Sequence, residues 1–137
     1  MKEILNNEFA CIRYDGESNS IIAFWKKPST SEAYKVIFTL ILEKILEFKV
    51  EGFISDIFHQ GIVGTENRLW LQNEILPKAY AGGLKKLATV SPNDVFSRFY
   101  IDSVQQASIA NGMELDFQYF KDLNSAQDWV LGEEVTV

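Results

Sequence analysis

The sequence predicts one α/β domain on a mainly parallel sheet with an antiparallel N-terminal edge strand, in the order β-β-α-β-α-β-α-β-α. Three observations carry this. Two β-branched and aromatic runs flank an Asp-Gly turn near the N-terminus, a long apolar stripe with helical spacing follows, and short apolar runs then alternate with helical ones. Strands separated by helices pair in parallel through right-handed crossovers, while a hairpin supplies the antiparallel edge.

Taken in chain order, Phe9 to Tyr14 and Ile21 to Trp25 read as strands, with Asp15-Gly16-Glu17-Ser18-Asn19 as their hairpin turn. Pro28 and Ser29 introduce the first helix. Glu32 stands at capping-box distance from Ser29, and Tyr34, Ile37, Phe38, Ile41, Leu42, Ile45 and Phe48 form the buried stripe. After Gly52, Phe53-Ile54-Ser55-Asp56-Ile57 is a short apolar run with a polar end, as expected of a central strand opening into the loop Phe58 to Gly64.

Thr65 is expected to cap a helix carrying Leu69, Trp70 and Ile75, which Pro77 kinks or splits into two pieces before Gly82 and Gly83. Leu84 to Val90 is the next strand. Ser91 then caps a helix with Pro92 at its first position, running to about Asn111 and ended by Gly112. Leu115 to Phe120 alternates as the last strand, and Asn124 caps a closing helix with Ala126, Trp129 and Val130.

At 137 residues, 47% hydrophobic and 23% charged, the chain fits one hydrophobic core and no disordered or fibrous class. Its net charge of -6 repels the phosphate backbone, and the basic pairs Lys26-Lys27 and Lys85-Lys86 are too short to make a nucleic-acid patch. The single Cys11 excludes an intramolecular disulfide and a thiolate zinc cluster, which fits a reducing, cytoplasmic location. Polar residues at Glu3, Asn6, Asn7 and Glu8 occupy the place of a signal peptide's apolar stretch, and Val36 to Leu42 is too short to cross a bilayer. Neither export nor membrane insertion is expected. No dinucleotide fingerprint and no P-loop lysine occur, so no cofactor is implied, and one histidine excludes a histidine-rich metal site.

Several strings taken together carry a family resemblance. They are Ile54-Ser55-Asp56, Thr65-Glu66-Asn67 with Trp70 behind it, Leu76-Pro77 before Gly82-Gly83, Lys86-Leu87-Ala88, Phe96-Ser97-Arg98, and Phe120 with Ala126 and Trp129. With the element order, they resemble the STAS (sulphate transporter and anti-sigma factor antagonist) group, and in particular its SpoIIAA-like branch. The resemblance implies a small regulatory or binding module that engages a protein partner. In the anti-sigma antagonists of that group, a serine at the start of the helix after the central strand is phosphorylated. Here no Asp-Ser-Ser-Gly string follows Asp56, and the hydroxyl at the matching helix start belongs to Thr65. SpoIIAA-like domains also resemble the CRAL-TRIO lipid carriers, which implies an apolar small molecule or lipid as the alternative ligand.

In parallel sheets, ligands engage the carboxyl ends of the strands, which directs attention to Asp56 to Thr65 and Ser91 to Asp94. Asp56 and His59 make half of an acid/base unit, against the plainer reading of a loop-capping carboxylate and a solvent-facing imidazole. Gly61 to Thr65 reads either as an anion-holding loop or as glycines allowing a close approach to the helix. Thr65 is a helix cap or a phosphosite, and Cys11 is a buried small hydrophobe. Trp70, Tyr80, Phe96, Phe99 and Tyr100 either pack the core or line an apolar pocket.

The expected function is therefore a non-enzymatic module binding a protein partner through His59 to Trp70, with Asp56, His59, Thr65 and Trp70 as contact residues and Phe96 and Tyr100 as pocket lining. Self-association is compatible with it. A carrier of an apolar small molecule is the alternative, and a hydrolase using Asp56 and His59 the third reading.

Overall fold

Period-two alternation organises the sheet. In Ser20–Trp25 it sends Ile21, Ala23 and Trp25 to one face and Ile22 and Phe24 to the other, and both faces bury apolar residues. The computed structural model describes residues 1–132; the expected single domain extends into residues 133–137, outside the described part. Six strands form one sheet in sequence order: β1 (Lys2–Asn6), β2 (Ala10–Asp15), β3 (Ser20–Trp25), β4 (Gly52–Asp56), β5 (Lys86–Val90) and β6 (Asp116–Phe120). The first two pairings are antiparallel and the last three parallel.

Every parallel crossover advances the sheet in the same direction, so the crossover helices share one face. These are α1 (Ser31–Phe48), α2 (Thr65–Trp70), α3 (Leu76–Ala81) and α4 (Val95–Ala110). Tyr34, Ile37, Phe38 and Ile41 of α1, Leu76 of α3 and Ile101 and Val104 of α4 bury there against Ile21, Trp25, Phe53 and Leu87. Each such large side chain contributes roughly 1.5–3 kcal/mol on burial. Among the described residues the closing helix α5 (Leu123–Leu131) alone covers the other face, placing Ala126 and Val130 on Ile22, Ile54, Ala88 and Phe120. Lys86 Nζ crosses to this helix and donates to the Trp129 carbonyl at 3.0 Å.

Three expectations need correction. β1 was not expected, and the strand from Ala10 is therefore second in the sheet and not its edge. Lys2, Glu3 and Asn6 mask β1 from any propensity reading, yet charged residues suit an edge strand, and Ile4 and Leu5 still pack on the core. The caps also shift. Thr30, not Ser29, accepts from Ala33 N–H; Asp94, not Ser91, accepts from Ser97 N–H; and Asp122, not Asn124, accepts from Ser125 N–H. At α1 three successive hydroxyl residues, Ser29, Thr30 and Ser31, compete for the boundary, and at α4 and α5 an aspartate caps at least as well as the serine or asparagine nearby.

Thr65 is likewise the first helical residue, with Gly64 in the cap position and no side-chain cap bond. The expected two helical pieces are present as α2 and α3, with Pro77 at the start of the second. A π turn, Leu71–Ile75, joins α2 to α3, and Leu76 N–H bonds the Leu71 carbonyl five residues back. The wider turn accommodates the proline at the start of α3, where its missing N–H matters least.

Gly52 is required where α5 meets β4. A Cβ built there would lie 2.5 Å from Val130 Cγ1 and 3.3 Å from Ser20 Cβ. Gly52→Ala is expected to destabilise the fold by about 1–3 kcal/mol through this overpacking, measured as a lowered urea midpoint at unchanged slope. An unchanged midpoint would show that α5 is not seated on β4 as described.

Candidate functional site

The carboxyl ends of β3 to β6 open toward one end of the molecule, where the β4–α2 loop, Ile57 to Gly64, joins the starts of α1 and α2. Sheet alternation divides the sequence-predicted site residues between two sides. Asp56 pairs with Phe24 in the register and points with Ile54 to the α5 side. Thr65 and Trp70 belong to α2, on the opposite side. These residues therefore do not form one constellation.

Asp56 Oδ1 accepts the Phe58 N–H at 3.2 Å, the short turn of a loop-capping carboxylate. His59 is exposed, with its ring edge-on to Phe24 at 6.2 Å between centroids. Among the described residues no hydrogen bond joins Asp56 to His59, although the imidazole lies near enough to favour the charged carboxyl. Partial burial outweighs that effect and the Phe58 hydrogen bond, holding the Asp56 carboxyl above its ordinary range.

On the helix side, Trp70 is half-buried and meets Tyr34 edge-on at 6.3 Å. Tyr34 stacks on Trp25 at 5.9 Å, and its hydroxyl shares a hydrogen bond with that of Tyr100 at 3.0 Å. Burial pushes both phenols up, Tyr100 to about 12. Tyr100 also borders an apolar cavity of about 40 Å³ between the helices and the sheet, beside Phe38, Leu71, Ile101 and Phe117. Such a volume holds a few waters at most and is far below the roughly 300 Å³ at which ligand pockets begin. Phe96, the other expected lining residue, is 63% exposed and does not line it. Tyr80 packs against the main core, and Cys11 is buried.

A second, polar cleft of about 300 Å³ lies between the starts of α1 and α2, lined by Ser29, Ser31, Tyr34, Gln60, Ile62, Val63, Gly64, Thr65, Glu66 and Asn67. Its walls are tied together. Ser31 Oγ donates to Asn67 Oδ1 at 3.1 Å, and Lys35 pairs with Glu66 at 2.9 Å. Gln60 is 3% exposed and its Nε2 has no hydrogen-bond partner. An unpartnered buried amide costs about 1–3 kcal/mol. Gln60 escaped the sequence reading because a lone amide in a loop carries no pattern, and Asn67 entered it only within the Thr65-Glu66-Asn67 string, since Ser31 meets it only through the fold.

Large apolar side chains stand exposed at the same end. Ile62 is 71% exposed, Val95 80% and Phe99 61%, with Phe96 and Leu69 beside them in sequence. The Arg68 guanidinium lies over the Phe99 ring at 5.1 Å and so ties α2 to α4. Among the described residues no group of three or more His, Cys, Asp or Glu side chains is placed to hold a metal, and no helix is long and apolar enough to cross a membrane. Comparison with protein-family models, with curated proteins and with solved structures gives no match.

The raised Asp56 carboxyl has a definite consequence for stability. A folded state that holds this proton more tightly than the unfolded chain gains stability at low pH and loses it as pH rises through the raised value. Asp56→Asn keeps an oxygen for the Phe58 N–H and removes the charge. It should therefore raise Tm at neutral pH, with the difference from wild type closing in strong acid; a pH-independent difference would contradict the assignment.

Proposed function

We propose that this chain is a non-enzymatic regulatory or binding module of the SpoIIAA-like kind, acting by docking a protein partner on the surface formed by the β4–α2 loop, α2 and the start of α4. The observation that carries this reading is the gathering of exposed apolar residues at one sheet end: Ile62, Leu69, Val95, Phe96 and Phe99. Monomeric surfaces seldom gather large apolar groups without a partner to cover them. Aromatic residues and arginine also dominate the binding energy of typical interfaces, and Phe99 with Arg68 supplies both. The element order from the hairpin onward supports the family likeness.

The docking surface can be tested in the native host by quantitative capture of partners with the tagged full chain. The double variant Phe96→Ala/Phe99→Ala should weaken recovery of the principal partner at least about tenfold, equivalent to about 1.4 kcal/mol. Arg13→Ala, an exposed position on β2 remote from this end, should leave recovery unchanged. Equal recovery with all three proteins would remove the proposed surface.

Thr65 is the site at which we place regulation. It is exposed, it opens α2, and it lines the polar cleft. A phosphoryl group there would lie at the positive end of a helix and add charge beside the docking residues. Intact-mass and peptide analysis of protein from its own host should find a phosphate increment on Thr65, and a mimic, Thr65→Glu, should change partner recovery. Unmodified Thr65 together with unaltered recovery would exclude the switch.

A further inference from the structure

We infer that the β6 edge of the sheet is a self-association surface, on which a second copy of this chain pairs antiparallel about Gln118 and continues the sheet across both copies. Partner docking at the β4–α2 loop and the start of α4 is a separate proposal, and this inference does not depend on it.

The two ends of the sheet differ. Strand order makes β1 and β6 its edges. At β1 the edge is protected: Lys2 and Glu3 are exposed, and the register with β2 slips between Glu3 and Leu5. β6 has neither device. Asp116–Phe120 pairs with β5 without a slip, and it contains no lysine, proline or glycine. An edge left regular and uncharged along its middle accepts another strand.

The ladder fixes which groups are on offer. Asp116 N–H donates to the Lys85 carbonyl at 3.0 Å, and the Phe120 carbonyl accepts from Ser91 N–H at 3.3 Å. Asp116, Gln118 and Phe120 therefore turn their backbone groups inward to β5. Phe117 and Tyr119, between them, turn theirs outward, where among the described residues no further strand lies.

The strand is complementary to itself. In an antiparallel pair centred on Gln118, Phe117 of one copy stands opposite Tyr119 of the other, and each such pair exchanges both of its outward backbone bonds. Phe117 and Tyr119 also share the helix side of the sheet, where both pack on the main core yet stay partly exposed. The same pairing thus sets aromatic side chains against each other. Charge selects this direction and this occupant. Exposed Glu114 and Asp116 lie at the start of β6 and exposed Lys121 directly after its end, none of them in an ion pair among the described residues. Asp122 beside Lys121 is engaged in capping α5. Antiparallel pairing brings the acids of each copy to the lysine of the other, whereas parallel pairing would set like beside like.

The test is sedimentation equilibrium of the full chain from micromolar to near-millimolar concentration, with amide hydrogen exchange at the two ends of that range. A monomer–dimer equilibrium is expected. The Phe117 and Tyr119 amides should gain protection with concentration, while the Gln118 amide, bonded to β5, is protected throughout. Gln118→Lys sets like charges directly opposite each other at an exposed position where folding is not at risk, and should raise the dimer dissociation constant at least about fivefold. Gln118→Glu should do the same, and mixing the two variants should restore association as a heterodimer. A chain that stays monomeric throughout would overturn the inference. A dimer whose Phe117 and Tyr119 amides exchange as fast as the monomer's, protection of both that is independent of concentration, or variants that associate as well as wild type would overturn it as well.

Discussion

The Tyr34 ring is the contact on which the arrangement of this end of the molecule depends. It stacks on Trp25 of β3, packs against Phe38 one turn along α1 at 4.8 Å, meets Trp70 of α2 edge-on and bonds Tyr100 of α4 through its hydroxyl. Aromatic pairs of this kind contribute about 0.5–1.5 kcal/mol each beyond simple burial. One strand and three helices thus converge on a single side chain, which also forms a wall of the polar cleft. The stiffness of the core is delivered directly to the surface where binding is proposed, and any change that loosens Tyr34 alters both.

The winding of the sheet makes its two faces unequal. Because β3 to β6 follow one another in sequence order, α1 to α4 gather on one face and leave α5 to cover the other. That single helix of nine residues reaches β4, β5 and β6 but leaves Phe24 of β3 exposed beside His59. The sheet edge therefore offers two chemically different sides. One carries an isolated carboxylate and imidazole, each engaged locally. The other carries hydroxyls, amides and apolar side chains on three helix starts. Proximity in sequence keeps Asp56 and His59 on one side of the sheet, but it does not hold His59 and Thr65 together.

What the sequence disclosed follows from where its information lies. The stripe Tyr34 to Ile45 announces α1 because burial of one helix face requires apolar residues at that spacing, and Tyr34, Ile37, Phe38 and Ile41 are indeed buried. The runs at Phe53 and Leu87 announce central strands for the same reason. By contrast, β1 exists because β2 offers it a ladder, not because Lys2-Glu3-Ile4-Leu5-Asn6 favours a strand by itself. The π turn at Leu71–Ile75 answers a steric demand of Pro77 that a propensity reading resolves only as a break. Thr65 and Trp70 were legible as a helix start and its first large aromatic. Gln60 was not, since its interest lies in lacking a partner, and partners are a property of the folded chain.

The departures from ordinary packing are not scattered. Trp25 Nε1, Gln60 Nε2 and Gln72 Nε2 are buried donors without partners. Trp25 lies under Tyr34, Gln60 beside the cleft that Tyr34 walls, and Gln72 within the π turn two residues after Trp70. Exposed Ile62, Leu69 and Phe99 border the same loop and helices. Such groups weaken a fold, and they persist where the remaining structure is strong enough to carry them. Here the sheet and the Trp25–Tyr34–Phe38 stack supply that strength immediately beneath. Uncovered apolar groups above that rigid aromatic base suit a preformed recognition surface, because the cost of ordering it falls on folding and not on binding.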